Sequence, residues 1–122
     1  MSNISKQEFG EFIRKHRLAL NPPVTLRGFA EKVDISPTYL SKIERGDFDP
    51  PAEDTIIRIA KELGCDEDKL LALAGKISSD ITAIITKRPV EAAQFLRTTK
   101  GLSKEEWEKL IKKAQQLKEG DK

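Results

Sequence analysis

In the stretch SPTYLSKIERG, Ser36–Gly46, the residues Pro37, Thr38, Ser41, Lys42 and Arg45 recur at a spacing that brings side chains to the outer side of a helix. Leu40 and Ile43, three apart, would form its buried side. The outer set combines hydroxyls, an ammonium, a guanidinium and an apolar ring. Such groups bond base edges or phosphates, and none of them is a nucleophile with a base beside it. Ser36 is a good N-cap, Pro37 suits the first helical position, and Gly46 supplies a left-handed stop. The result is a short helix with sharp ends and a polar outer face.

Groups suited to catalysis are sparse elsewhere. The single histidine, His16, lacks a paired carboxylate or nucleophile and reads as structural. The single cysteine, Cys65, lies at a helix boundary among apolar neighbours and reads as a small core residue. One cysteine excludes an internal disulfide and points to the reducing cytoplasm. No Cys/His cluster suits zinc, and no glycine-rich phosphate loop is present. An enzyme is therefore not expected, and neither is a cofactor or a metal.

Composition bounds the rest. The 122 residues suffice for one compact domain with an appendage, or for two very small units. Apolar residues make up 38% and charged residues 34%, as in a helix-rich soluble protein. No window approaches the roughly 18 uncharged apolar residues of a membrane span. Met1–Lys6 lacks a secretory signal's apolar run, so no membrane association is expected. The net charge of +2 hides an asymmetry: residues 1–75 carry 11 Lys/Arg against 13 Asp/Glu, and residues 76–122 carry 11 against 7. Within the first part, bases concentrate from Arg14 to Arg45, and acids gather at Asp47–Asp54 and Asp66–Asp68. A local basic face on a mildly acidic body is compatible with that order.

The elements that would position the helix are legible on either side of it. Residues 7–20 predict a first helix, with Phe9, Phe12, Ile13, His16 and Leu20 at helical spacing. The prolines of NPPV break it. Thr25 caps a second helix through about Val33, with Leu26, Phe29, Ala30 and Val33 inward. After the Ser36–Arg45 helix, DFDPPAEDT forms a loop into a fourth, about Glu53–Leu63, closed by Gly64. Asp66 caps a fifth short helix ended by Gly75. Five short helices around one core make an all-α domain over residues 1–75.

Residues 76–122 read as a helical extension. It has a short helix near Asp80–Thr86 and another from Pro89 to about Thr98, ended by Gly101. A capping box at Ser103–Glu106 then opens a last helix. Trp107, Leu110, Ile111, Ala114 and Leu117 lie on one stripe of that helix, with Lys104, Lys109, Lys112, Lys113 and Lys118 as a solvated face; Glu119–Lys122 is expected to fray. Three short helices hold limited apolar mass. They either pack back on the first five or pair with a second chain, and the expectation adopted is a dimer interface on the Trp107 stripe. Gly28, inside the second helix, implies a close approach to a neighbour that the sequence leaves unnamed.

Two helices joined by a tight turn, the second short and capped at both ends, form a helix-turn-helix. The sequence resembles the lambda-repressor/Cro-type, Xre-like, helix-turn-helix regulators over roughly Phe9–Ala74. The residues carrying the resemblance are Phe9-Gly10, Ile13, Arg17, TLRGFAEKVDISPTYLSKIERG at Thr25–Gly46, Pro51, and IIRIAKELGCDEDKLLALAG at Ile56–Gly75. The resemblance implies a five-helix DNA-binding domain. In it Thr38, Ser41 and Lys42 would read bases and Pro37 would add an apolar contact. Ser36, Tyr39 and Arg45 would hold the DNA backbone, and the start of the second helix at Thr25 would present free amides to a phosphate. Ala30 would let the two helices approach closely, and Arg17 would pair with Glu44 to set the angle between helices. Leu26 stands where many members have a DNA-touching glutamine, a contact that Arg27 would replace. Asp34 replaces the usual turn glycine and would need positive φ. The loop ALNPPVT is about two residues longer than usual.

The function so implied is that of a sequence-specific regulator of transcription on double-stranded DNA. It would be a repressor acting as a homodimer on an inverted repeat. The alternative is an antitoxin or protease-controlled regulator whose residues 76–122 bind a protein partner.

Overall fold

The computed structural model describes residues 5–120, which form eight α-helices. They divide into two compact units, Met1–Ser79 and Asp80–Lys122. The first holds α1 (Lys6–Leu18), α2 (Leu26–Lys32), α3 (Pro37–Glu44), α4 (Glu53–Leu63) and α5 (Glu67–Leu73); the second is built from α6 (Ser79–Lys87), α7 (Pro89–Thr98) and α8 (Lys104–Gly120). The expected reading of Met1–Lys6 lies mostly outside the described residues.

Local chemistry sets the helix ends. Ser5 Oγ accepts the Glu8 amide at 3.0 Å, while the Ser5 amide donates to Glu8 Oε1 at 3.0 Å. This capping box starts α1 at Lys6, a residue earlier than the periodicity predicts. Thr25, Ser36 and Asp66 cap α2, α3 and α5 by accepting the Gly28, Tyr39 and Lys69 amides. Four of the first five helices close in one way. The residue just after each stop donates back to a carbonyl five residues earlier: Ile35 to Ala30, Asp47 to Lys42, Cys65 to Ala60 and Lys76 to Leu71. That motif needs a left-handed residue at the stop. Glycine fills it at Gly46, Gly64 and Gly75, and Asp34, at φ 63°, fills it between α2 and α3. A short polar side chain tolerates this region better than a branched or bulky one.

Phe9, Ile13, Phe29, Leu40, Ile56 and Leu70, from all five helices, are essentially fully buried in one core. The tightest approach in it is between α1 and α3. A Cβ at Gly10 would meet the Ile43 carbonyl and stand 2.6 Å from that of Glu44. Ala30 is fully buried, as expected of a small residue between helices, but the position that tolerates no side chain is Gly10. Gly28 also finds its neighbours: a Cβ there would lie 3.1 Å from Thr25 Oγ1, crowding the cap it donates to. His16 stacks on Phe12 with ring centroids 3.8 Å apart and donates through Nδ1 to the Phe12 carbonyl at 2.9 Å, a structural role.

Two boundaries depart from expectation. α1 ends at Leu18, about one turn before the prolines, which disfavour helix in the residue before them; the Asn21–Pro22 peptide is cis. Glu119 and Gly120 continue α8 where fraying was expected, while Asp121 and Lys122 lie outside the described residues.

The second unit is built differently. None of the described residues of α6, α7 or α8 is buried. Phe95 and Trp107 meet edge to face with centroids 6.3 Å apart. Of the predicted stripe, Leu110 is half-buried and Trp107, Ile111, Ala114 and Leu117 are exposed, Leu117 at 69%.

Replacing Gly10 by alanine forces α1 and α3 apart. A loss of about 1–3 kcal/mol is expected, as for overpacking elsewhere in cores. Urea denaturation measures it, with Gly120→Ala, where a Cβ meets nothing, as the control for helix propensity.

Candidate nucleic-acid interface

The outer side of α3 is open. Thr38 and Arg45 are exposed, and Pro37, Ser41 and Lys42 are half-buried. Ser36, Thr25 and Arg27 are also exposed, and Tyr39 is half-buried against the core. All the residues expected to meet DNA therefore sit on α2, α3 or their caps, within the first unit. The residues expected to form a dimer contact are in the other unit. The hydroxyl oxygens of Ser36 and Thr25 already accept amides in their own helices, which leaves each hydroxyl hydrogen as the group to offer a phosphate. The first-turn amides of α2 that Thr25 does not reach have no intrahelical acceptor.

The angle at which α3 stands is held by one side chain. Arg17, on α1, is 6% exposed; its Nε donates to Glu44 Oε2 at 2.9 Å and its Nη2 to Glu44 Oε1 at 2.8 Å. Nη1 donates to the Val24 carbonyl at 2.8 Å. The fork thus joins α1, the end of α3 and the loop before α2. The hydrogen bonds to Glu44 raise the Arg17 guanidinium above its ordinary value, outweighing desolvation. Arg17 and Glu44 form the floor of a groove flanked by Gln7, Glu11, Arg14, Leu26, Ser41 and Arg45. The Glu44 carboxylate, left bare, would repel a phosphate. Bidentate pairing cancels its charge while keeping it as a mechanical anchor.

A second brace comes from α4. Arg58 Nε donates to the Val33 carbonyl at 2.9 Å and Nη2 to Thr55 Oγ1 at 3.1 Å, fixing the end of α2 where the turn begins. Nothing in the sequence singled out Arg58, since its acceptor is a backbone carbonyl 25 residues away.

The loop after α3 carries more than a stop. Arg45 Nε lies 3.3 Å from Asp47 Oδ2, with both side chains largely in solvent. Phe48, 43% exposed, places its ring 5.9 Å from that of Tyr39, and Lys42 Nζ lies 5.3 Å from the Phe48 centroid. Phe48 belongs to a stretch read only as a loop. An aromatic directly after a helix stop was the available signal. Cys65 is half-buried, and burial raises its thiol above the usual value, in keeping with a packing role. No group of His, Cys, Asp and Glu suited to a metal ion occurs among the described residues.

A family described as a helix-turn-helix domain matches residues 10–76. Among solved structures, the chain is similar to the clp gene regulator ClgR from Corynebacterium glutamicum. One structure of it shares 30% identity over 60% of this chain and 91% of that chain, at a TM-score of 0.48. Another shares 24% over 78% and 93%, at a TM-score of 0.49. A SinR protein/SinI protein complex contains a chain that is 20% identical over 91% of this chain and 98% of that one, at a TM-score of 0.48. No curated protein matches significantly.

Removing one partner of the buried pair strands the other charge. Arg17→Met and Glu44→Leu are each expected to lower stability by about 3–5 kcal/mol, and the double substitution by clearly less than either. Chemical denaturation of the three variants checks this; losses that simply add would show that the two groups are not coupled.

Proposed function

The chain belongs to the helix-turn-helix domain family, and from that premise we propose that it is a sequence-specific, DNA-binding repressor of transcription that acts as a homodimer on an inverted repeat. The observation that carries the reading is the open face of α3, held at a fixed angle by Arg17 and Glu44. A helix with its side chains is about 10–12 Å across, which suits the roughly 12 Å width of a duplex's major groove, and the eight residues of α3 keep it to about two turns.

In this reading Thr38, Ser41 and Lys42 meet base edges and Pro37 packs on an apolar base group such as a thymine methyl. Ser36, Tyr39, Arg45, Thr25 and Arg27 meet the sugar–phosphate backbone. Arg45 would exchange Asp47 for a phosphate. That exchange is inexpensive because an exposed ion pair contributes at most about 1 kcal/mol.

One short helix reads too few base pairs to find a unique site in a genome, so two copies are paired. The surface suited to pairing is the exposed apolar stripe of the second unit, which includes Trp107, Ile111 and Leu117. Half-sites would lie roughly 34 Å apart, one helical turn, or a multiple of it. The same stripe would serve a different protein if the chain proves monomeric. That is the second reading, a regulator controlled through residues 76–122.

Selection from a random duplex pool defines the site. Lys42→Ala should then lower discrimination at one base pair by about 1–3 kcal/mol, whereas Arg45→Ala should weaken all duplexes alike and reduce the salt slope by about one. Equal losses on the selected and random duplexes for Lys42→Ala would reject its base-reading role. Sedimentation tests the pairing: Ile111→Glu should turn a dimer into a monomer and weaken binding to the full repeat more than to a half-site. A wild-type monomer would reject the homodimer and favour the second reading.

A further inference from the structure

Phe48 lies outside every helix, presents a large apolar ring to solvent, and contacts a residue assigned to base reading. We infer that Phe48 is a positioning residue for sequence discrimination, holding the Lys42 ammonium against its ring before DNA arrives. This assignment rests on the reading of α3 as the base-contacting helix.

The contacts form a chain from the core to the charge. Tyr39 packs on the core, its ring meets that of Phe48 at 5.9 Å and 52°, and the far end is Lys42 Nζ at 5.3 Å. The backbone on either side of Phe48 is held as well. The Asp47 amide donates to the Lys42 carbonyl at 2.9 Å and the Gly46 amide to that of Ile43 at 3.0 Å, and Pro51 is buried just beyond. At Gly46, with φ 78°, a Cβ would lie 2.8 Å from the α carbon of Gln7, so α1 presses directly on the turn. Phe48 is thus an exposed ring on a fixed mount.

The chemistry of the two basic residues differs in a way that suits two jobs. Arg45 is paired with a carboxylate, which neutralises it until a phosphate replaces that partner. Lys42 instead faces the π-cloud of Phe48. A ring restricts the long side chain without cancelling its charge or occupying its hydrogens. The ammonium therefore arrives with part of its rotamer freedom already lost, and with its donors still available. The acceptor pair that suits it is O6 and N7 of a guanine in the major groove. In this reading the base pair facing Lys42 is G·C, with Phe48 sharpening that preference.

The test uses the full chain and the duplex that it selects from a random pool. The readout is the ratio of dissociation constants between that duplex and one whose guanine facing Lys42 is replaced. Phe48→Leu, which keeps an apolar side chain but loses the ring, should lower the ratio about two- to fivefold, as expected for an exposed cation–π contact. Phe48→Trp should keep the ratio. In a Lys42→Ala background Phe48→Leu should change nothing further. In the free protein the Lys42 ε-methylene protons should resonate upfield by ring current and return to ordinary positions in Phe48→Leu. An unchanged ratio for Phe48→Leu, or an equal loss with Lys42 already removed, overturns the role of Phe48 and leaves the DNA reading intact. A wild-type chain that retains no duplex refutes the DNA reading itself, and this assignment with it. Should Phe48→Leu unfold the domain, the wild-type resonances decide: lysine protons without a ring-current shift overturn the inference.

Discussion

Everything the first unit presents to its surroundings depends on the fork between Arg17 and Glu44. The guanidinium spends three donors on two other segments: two on the carboxylate at the end of α3 and one on the carbonyl of Val24. A hydrophobic contact would tolerate sliding of one helix along another. Two parallel hydrogen bonds between planar groups do not, because both distance and orientation are specified. A buried pair of this kind adds little net stability against a well-packed apolar alternative. What it supplies is one angle between α1 and α3. Gly10 permits that angle at close range, since the absent Cβ lets the α3 backbone rest directly on α1.

The rest of the unit turns this constraint into a surface. Stops of a single design end α2, α3, α4 and α5, so each helix is only as long as its share of the core requires. Short helices need tertiary packing, since isolated ones below about 12–15 residues are marginal in water. The core supplied by Phe9, Phe29, Leu40 and Ile56 provides it. Because α3 buries only Leu40, Ile43 and Glu44, the remainder of its circumference stays free for polar groups. The acids that make the unit negative overall are not spread at random. Glu44 is paired with Arg17, Asp47 with Arg45 and Asp54 with Arg58, so these three carboxylates are engaged rather than bare.

The second unit reverses the logic of the first. Its helices are capped and bounded as well, through Pro89, Gly101 and the Ser103–Glu106 box at 2.9 and 3.1 Å, yet none buries a residue fully. Apolar side chains left in solvent at this density are uncommon on a monomeric surface. Folding of such a unit would be coupled, in the proposed homodimer, to the contact that covers it, and its stability would depend on concentration. In the proposed homodimer the same burial that orders these helices would join two reading heads.

Much of the fold was legible in the order of residues. Ser36, Thr25, Asp66 and Ser103 announce helix starts, Gly46, Gly64 and Gly75 announce stops, and the apolar spacing marks the inner faces. These signals act within a few residues, through a cap, a φ angle or a side-chain period, so no neighbour in space is needed to read them. The left-handed turn at Asp34 and the pairing of Arg17 with Glu44 were reached only through family resemblance. Gly10 is among the residues that carry the resemblance, but its role was not reached, and neither were those of Arg58 and Phe48. Each acts on a partner that the fold alone brings near: the carbonyls of Ile43 and Glu44, the carbonyl of Val33, and the ammonium of Lys42. A backbone carbonyl carries no residue-specific mark in a sequence, and a lysine six residues before a phenylalanine meets its ring only when the helix between them ends in a tight reversal. The chain therefore determined by itself which segments would be helices and which groups α3 would carry. The angle, the anchoring and the poise of those groups were decided by the tertiary structure, because they arise from contacts between segments rather than from preferences within one.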